Sequence, residues 1–162
     1  MSKIKIKNSK QKIADILLKI GCVNINFKNK FTLTSGKKSP VYVDCRKLIS
    51  FPKEREIVIN EMTKLIKSKY KKKVIVAGGE TAGIPYSSFI SHKLKMPMVY
   101  IRKQPKGFGK GKLIEGEYKK KSTSILIEDM ATDGGSKLHF INSLRKNNLS
   151  VKDIYVVFFY NI

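Results

Sequence analysis

The sequence predicts an α/β protein with a mostly parallel, twisted sheet flanked by helices. Four short apolar segments have the composition of buried strands: residues 74–77, 98–101, 125–127 and 154–159. From residue 55 onward they alternate with stretches whose apolar residues recur at helical spacing, which is typical of parallel sheets. Residues 1–50 lie outside this alternation. We therefore expect a small N-terminal hood over residues 1–50 and an α/β core over residues 51–162.

The hood is expected to contain one helix and two short strands. Apolar residues at helical spacing predict the helix over residues 9–20, and Gly21 suits its end. The strands are expected at residues 27–33 and 41–43, on either side of a turn-rich link.

The core is expected to begin with a helix at Pro52 and to place a second helix at residues 84–94. Residues 103–117 contain five Gly or Pro residues and little apolar content, which predicts a long mobile loop. A last helix is expected from Lys137, followed by a final strand. Because the sequence stops soon after that strand, we expect either a truncated sequence or a naturally short protein.

Composition limits the classes of protein to consider. The 162 residues suffice for one domain with a core, and they carry a net charge of +22. Only four of the 34 basic residues are arginine and the lysines are spread along the chain, so we expect weak polyanion binding but no specific nucleic-acid partner. No apolar run approaches the ~20 residues of a membrane span, and no secretory signal is recognisable. We therefore expect no membrane partner, a cytoplasmic location and reduced cysteines.

The most informative run is residues 125–136, Ile-Leu-Ile-Glu-Asp-Met-Ala-Thr-Asp-Gly-Gly-Ser. A strand is expected to end at Glu128 and Asp129, and the chain then passes through a Gly-rich loop into a helix. This arrangement presents backbone N–H groups and a helix N-terminus to an anion. The two acids suit the hydroxyls of a sugar, or a Mg²⁺ ion that accompanies a phosphate. The alternative is an ordinary turn between strand and helix, with both carboxylates solvated.

This run resembles the motif that binds 5-phosphoribosyl 1-pyrophosphate (PRPP) in the type I phosphoribosyltransferases: an apolar strand, two acids, two variable residues, Thr, a small residue and Gly. Further segments extend the resemblance to the orotate phosphoribosyltransferases, and within them to one bacterial subgroup. These segments are residues 31–36 with 39–44 and Arg46, residues 78–85, and residues 100–109 with 114–116. The resemblance covers most of residues 13–160 and implies the type I phosphoribosyltransferase fold.

The resemblance also implies a reaction. Ribose 5-phosphate would pass from PRPP to orotate, giving orotidine 5′-monophosphate and pyrophosphate in pyrimidine (UMP) biosynthesis. A Mg²⁺ ion would be bound mainly through PRPP oxygens, with no direct protein ligand and with Glu128 and Asp129 nearby. The protein would be a homodimer whose mobile loop is shared between subunits.

Matching positions give each candidate residue a role. The residues expected to bind PRPP belong to the motif and to a loop that would hold pyrophosphate: Glu128, Asp129, Ala131, Thr132, Asp133, Gly134, Gly135, Ser136, Gly79, Glu80, Thr81 and Ala82. Arg102, Lys103 and Lys106 match basic residues before and within the mobile loop; they too are expected to bind PRPP. Together with Asp129 these three are the catalytic candidates, because cations near the departing pyrophosphate stabilise its growing charge. The candidates for orotate binding are Tyr42, Thr132 and Thr34.

Three positions depart from the family's pattern. Phe108 stands in the mobile loop where many members have His, and Phe cannot hydrogen-bond to pyrophosphate. Thr34 stands where many members have Lys. Residues 158–160 are Phe-Phe-Tyr, where many members have an Asp-Arg pair whose Arg faces the orotate carboxylate. Arg46 is a candidate to replace that cation.

Three other functions remain open at this stage. The chain could transfer phosphoribose to another nucleobase. It could be a PRPP-sensing regulator that binds nucleic acid on the same fold, as its charge suggests, or an inactive fragment that binds PRPP without turnover. The intact set of Arg102, Lys103 and Lys106 argues against the regulator.

Overall fold

The structure is a computed structural model that describes residues 2–33, 36–105, 112–132 and 134–160, with side chains from residue 8 onward except that of Ser136. The chain divides into two compact units, Met1–Glu61 and Met62–Ile162, and each is described in turn. No helix in these ranges combines the length and the apolar composition that crossing a membrane would require.

The N-terminal unit consists of a helix, two small antiparallel ribbons and a 3₁₀ helix. Its elements are α1 (Ser2–Lys19), β1 (Val23–Ile25), β2 (Phe31–Thr32), β3 (Lys38–Ser39), β4 (Val41–Val43), the 3₁₀ helix Cys45–Ser50 and the start of α2 (Pro52–Lys69). Strand β1 pairs with β4, and β2 pairs with β3.

The prediction of a strand over residues 27–33 is wrong for most of that range. Only Phe31 and Thr32 are in a strand, because Asn26 starts a turn instead: its Oδ1 accepts the backbone N–H of Asn29 at 2.9 Å. The segment that pairs with β4 is Val23–Ile25, whose three residues are too few to show a period in the sequence.

The second unit is a five-stranded sheet with helices, as the sequence predicts. After α2 come β5 (Ile75–Gly79), α3 (Gly83–Leu94), β6 (Met98–Ile101), β7 (Ile114–Glu115), β8 (Thr123–Ala131), α4 (Gly135–Lys146) and β9 (Ser150–Phe159). The strand order is β7-β6-β5-β8-β9, and every neighbouring pair is parallel except β6 with β7. The predicted α/β class and the mostly parallel sheet are therefore confirmed.

Two boundaries in this unit differ from the expected ones. Strand β8 does not end at the two acids, because its pairing with β9 continues to Ala131, which lies opposite Phe159. The expected loop over residues 103–117 contains β7, whose Ile114 is buried and pairs with Ile101.

One face of the sheet carries the apolar core that α4 covers. Leu126 of β8 is fully buried against a cluster that includes Ala77 of β5 and Phe140 and Leu144 of α4. The sheet's far edge is tied to the end of α2, since Asp153 of β9 accepts hydrogen bonds from neighbouring side chains there. Their donors are Lys69 Nζ, at 2.6 Å, and the Tyr70 hydroxyl.

Leu126→Ala tests the importance of this core. Removing a fully buried leucine leaves a cavity, so the free energy of unfolding should fall by about 2–5 kcal/mol in urea denaturation. Leu138→Ala is the matched control, because that side chain is 59% exposed and its loss should cost less than about 0.5 kcal/mol. Equal losses in the two variants would contradict the assignment of the core.

Candidate active site

The predicted site residues of the second unit lie at the carboxyl end of the parallel strands. Gly79 at the end of β5 lies opposite Ile101 at the end of β6. On the other side of β5, Gly78 lies opposite Ile127, so Glu128 and Asp129 follow at the same edge of the sheet. Ligands of open parallel sheets bind outside this edge, which is where the sequence-based assignments of residues 79–82, 102–103, 128–132, 134 and 135 converge.

The turn from β5 into α3 requires glycine because of close packing. A Cβ on Gly79 would overlap Glu128 Oε1 and the ring of Phe140. A Cβ on Gly83 would overlap the same Glu128 oxygen and would lie 2.5 Å from the carbonyl oxygen of Ile127. The missing side chains therefore make room for a carboxylate of the neighbouring strand directly beneath this turn.

Glu80 joins the turn to the segment after β6. Its backbone N–H donates to the carbonyl oxygen of Ile101 at 2.8 Å, and its Oε2 accepts the backbone N–H of Lys103 at 2.7 Å. The structure thus brings together two segments that were predicted separately to bind PRPP, residues 79–82 and 102–103. The hydrogen bonds of Glu80 link them.

Arg102 and Lys103 lie at the start of the predicted mobile loop. The backbone N–H of Arg102 donates to the carbonyl oxygen of Leu113 at 2.9 Å, which brings the two ends of the loop together. Arg102 Nε is buried and has no hydrogen-bond partner in the described part of the chain. A buried donor of this kind suits an anionic ligand. Lys106 and Phe108 lie outside the described residues.

The two acids of the motif are both buried within β8. Glu128 is 5% exposed and Asp129 is 8% exposed. Successive strand residues point to opposite faces of a sheet, so the two carboxylates lie in different surroundings. The expectation that the strand ends at these acids is therefore wrong, because its pairing with β9 continues past both of them. Their burial also argues against the alternative of two solvated carboxylates. Asp129 Oδ1 accepts the backbone N–H of Met130 at 2.8 Å.

Glu128 forms an ion pair that the sequence does not reveal. Its Oε2 lies 3.4 Å from Lys137 Nζ, with side-chain exposures of 6% and 12%. Burial raises the pKa of Glu128 to about 7, an effect that Lys137 opposes and Asp129 increases. Lys137 ends the Thr-Asp-Gly-Gly-Ser-Lys tract that contributes to the resemblance to one bacterial subgroup. Its pairing with Glu128 is not visible in the sequence, because it depends on the way α4 returns to the end of β8.

The segment after β8 leads directly into α4. Gly134 caps the helix with a φ of +87°, a backbone conformation that glycine adopts without strain. The N-terminus of a helix directs backbone N–H donors toward an anion, so the start of α4 is where the motif would hold a phosphate. Thr132 is half-buried between the strand and the cap, whereas Asp133 and the side chain of Ser136 lie outside the described residues.

The orotate candidates belong to the N-terminal unit, apart from Thr132. The Tyr42 ring lies 5.6 Å from that of Phe31, centroid to centroid, and its hydroxyl accepts Arg46 Nη2 at 3.3 Å. Arg46 Nε also donates to Asp44 Oδ1 at 3.2 Å. A hydrogen bond therefore links Tyr42, the aromatic side chain predicted to contact orotate, to Arg46, the cation predicted to face the orotate carboxylate. Thr34 lies outside the described residues.

The acids of the site limit how a metal ion could be held by the described residues. In the described ranges, no three His, Cys, Asp or Glu side chains form a cluster that could hold a metal ion. Glu128 already faces Lys137, so a ready cage of carboxylates is absent from this part of the chain.

The sheet order, the glycine turn and the strand–loop–helix motif define a phosphoribosyltransferase of type I fold. The solved orotate phosphoribosyltransferase from Aeropyrum pernix aligns with 91% of this chain and 93% of its own, at a TM-score of 0.74 and 25% identity. Leishmania donovani UMP synthase aligns with 91% of this chain and 36% of its own, at a TM-score of 0.75 and 30% identity. No model of a protein family matches the sequence.

A curated relative places the chain within this class. The orotate phosphoribosyltransferase of Ruegeria sp. (strain TM1040) is 43% identical over 151 residues, which are 92% of this chain and 67% of the relative. The chain belongs to the orotate phosphoribosyltransferase family. It spans about two thirds of the length of the curated relatives that it matches.

The raised pKa of Glu128 predicts that stability falls as pH rises. The folded protein keeps a proton on this carboxyl up to about pH 7, whereas the unfolded chain loses it near 4.5, so the folded state binds more protons between these values. The contribution is complete below the unfolded pKa and is lost as pH rises through the folded one. It amounts to about 1–3 kcal/mol in the free energy of unfolding.

Urea denaturation at a series of pH values measures this contribution. Glu128→Gln should show a smaller fall in stability than the unsubstituted protein between about pH 4.5 and pH 8. Glu117→Gln, at an exposed acid, is the control and should keep the original pH dependence. Identical pH dependence in Glu128→Gln and the unsubstituted protein would contradict the burial of this carboxyl.

Proposed function

We propose that this chain transfers ribose 5-phosphate from PRPP to orotate and releases pyrophosphate. The observation that carries the proposal is the meeting of the glycine turn, the Arg102–Lys103 segment and the motif strand at one edge of the sheet. The family to which the chain belongs supports the same reaction.

The departing pyrophosphate would lie against the turn after β5 and the cations after β6. As the bond between the sugar and pyrophosphate breaks, negative charge grows on the leaving group and positive charge on the sugar ring. Arg102 Nε, which has no hydrogen-bond partner among the residues that the structure describes, and the Lys103 ammonium can stabilise the leaving group, with Lys106 added from the loop. Closure of that loop would exclude water, which would otherwise hydrolyse the activated sugar.

The ribose and its 5′-phosphate would lie on the motif. Asp129 is the carboxylate proposed to hold the ribose hydroxyls, and Glu128 lies beside it beneath the glycine turn. The 5′-phosphate would accept hydrogen bonds from the first N–H groups of α4 and from the Thr132 hydroxyl. A Mg²⁺ ion, when bound, would neutralise pyrophosphate oxygens.

The base would contact Tyr42, whose ring can stack on a planar pyrimidine. Such stacking contributes about 1–3 kcal/mol per base in nucleic-acid complexes. Arg46, hydrogen-bonded to the same tyrosine, supplies a cation for the orotate carboxylate. We further propose a homodimer that shares its loops and works in the cytoplasm, in line with the sequence-based expectation.

The test is a spectroscopic assay of orotate consumption. Adding PRPP and Mg²⁺ to the protein should lower the absorbance of orotate, and omitting either should prevent the change. Uracil, adenine and hypoxanthine serve as competing acceptors. Activity with one of these and none with orotate would overturn the proposal in favour of a phosphoribosyltransferase for another base. PRPP binding without any turnover would indicate an inactive form.

Lys106→Ala should reduce turnover by about two to three orders of magnitude, because a cation directed at the leaving group is lost. Steady-state kinetics measure the loss, and circular dichroism confirms that the fold persists. Lys120→Ala removes an exposed lysine after β7 and is the matched control, with turnover expected to stay the same. Undiminished turnover in Lys106→Ala would remove the loop from the mechanism.

Asp129→Asn should weaken PRPP binding about tenfold or more, because a charged hydrogen-bond acceptor for the ribose hydroxyls is replaced by an amide. Isothermal titration calorimetry with PRPP and Mg²⁺ measures the change. Inorganic phosphate, which has no ribose, is the control ligand, and its affinity should change much less. Unaltered PRPP affinity would contradict the assignment.

A further inference from the structure

A concave surface rich in lysine lies at the amino end of the parallel strands, on the opposite edge of the sheet from the candidate active site. It is bordered by the starts of β5, β8 and β9 and by Pro97, which precedes β6. Its volume is about 820 Å³, which is within the range of small-molecule sites. We call it the basic cavity, because its lining includes five lysines: Lys69, Lys71, Lys72, Lys73 and Lys152.

Most of the charge in the basic cavity is unbalanced within the part of the chain that the structure describes. No Asp or Glu is among its described lining residues. Asp153, the residue after Lys152, pairs with one of the five lysines, Lys69, and also accepts the Tyr70 hydroxyl. The ammonium groups of the other four lysines form no ion pair or hydrogen bond with any described residue. Four cations are therefore available to a ligand.

An excess of lysine in the composition does not by itself create such a surface. Two other concave surfaces formed by described residues also contain lysines, but each includes an acid. The acid is Glu117 in the one beside β7 and Asp15 in the one along α1. The basic cavity differs from both in the sign and the number of its charges, and this difference distinguishes it from the rest of a basic chain.

The lining favours a ligand with several closely spaced negative charges. Cations around a concave surface reinforce one another's potential, and the lysine ammonium binds phosphate oxygens as a point charge. The half-buried Ser122 and Thr123 also line the cavity, and their hydroxyls can donate hydrogen bonds to the same oxygens. A single carboxylate would engage only one or two of these groups. An oligophosphate chain carries a charge on each phosphate and can engage several of them.

The basic cavity is electrostatically separate from the candidate active site. Strand β5 runs from the cavity, at Ile75, to the glycine turn, at Gly79, and its five residues span roughly 13 Å. This span exceeds the Debye length of ~8 Å at physiological ionic strength, so an anion at one edge has little effect on an anion at the other.

We infer that the basic cavity is a binding site for an oligophosphate chain, either a free condensed phosphate or the triphosphate group of a nucleotide. The inference does not rest on the proposed function, because no residue that lines the cavity belongs to the candidate active site.

Titration with inorganic tripolyphosphate, followed by the NMR shifts of backbone amides, tests the inference residue by residue. At about 0.15 M ionic strength, where distant charges are screened, the amides of Ile75 and Thr123 should shift and reach saturation. The amides of Gly79 and Thr132 report separately on the candidate active site, where tripolyphosphate can replace pyrophosphate. Binding in the cavity is therefore measured whether or not the other site is occupied.

Paired substitutions identify the cations responsible. Lys73→Gln combined with Lys152→Gln should weaken the binding reported by the cavity amides about tenfold, at about threefold for each lost cation. Lys28→Gln combined with Lys53→Gln is the matched control. It removes the same charge from two exposed lysines of the N-terminal unit, and it should change this affinity by less than about twofold.

Three outcomes would overturn the inference. The first is the absence of a saturating shift at the cavity amides with millimolar tripolyphosphate. The second is an equal loss of affinity in the two double variants, which would indicate a general effect of net charge. The third is a shift caused by a short single-stranded oligonucleotide but not by tripolyphosphate, which would favour a nucleic-acid surface instead.

A nucleoside triphosphate and its nucleoside distinguish the two sources of the phosphate chain. Binding of the nucleotide about tenfold tighter than tripolyphosphate would support a nucleotide ligand, whereas equal affinities would support a free phosphate chain. Binding of the nucleoside as tight as that of the nucleotide would overturn the inference, because the lysines would then have no role. Circular dichroism checks that the variants are folded. If the double variant does not fold, each single variant should still show its threefold loss.

Discussion

The candidate site depends on one close approach between two neighbouring strands. The Glu128 carboxylate of β8 fills the space that side chains at Gly79 and Gly83 would need, so the turn after β5 lies directly over it. This close contact fixes the distance between the turn after β5 and strand β8. Parallel pairing of Gly78 with Ile127 brings the two strand ends level, and glycine permits the final contact. The two surfaces that would hold the ends of one substrate are therefore set by a single packing constraint.

Adjacent acids in this arrangement have different surroundings. Glu128 points toward the face that α4 covers and meets an ammonium, whereas Asp129, the next residue in the strand, points to the other face. A pair of neighbouring carboxylates can thus combine a supporting role with a binding role without competing for the same partners. The cost of burying Glu128 is visible in its raised pKa.

Much of the fold could be predicted from the sequence, because buried strands and amphipathic helices leave local patterns. The helix after Pro52 and the strand Met98–Ile101 follow from such patterns, and the motif located the strand–loop–helix turn. The short strand Val23–Ile25 was missed because three residues carry no period. The pairing of Lys137 with Glu128 was missed for a different reason: it is a tertiary contact between residues nine apart, and no local pattern shows which partner a lysine has.

The antiparallel strand β7 has a consequence for the segment that carries Lys106. Ile101 pairs with Ile114, and the backbone N–H of Arg102 reaches the carbonyl oxygen of Leu113, so both ends of the intervening segment are fastened to one another at the rim of the sheet. Changes in the number of residues between these anchors would alter the free energy of unfolding only slightly, since each doubling of loop length costs only about 0.6 kcal/mol. Stability therefore sets little limit on the length of this stretch, and the position that Lys106 must reach is the stronger constraint on it.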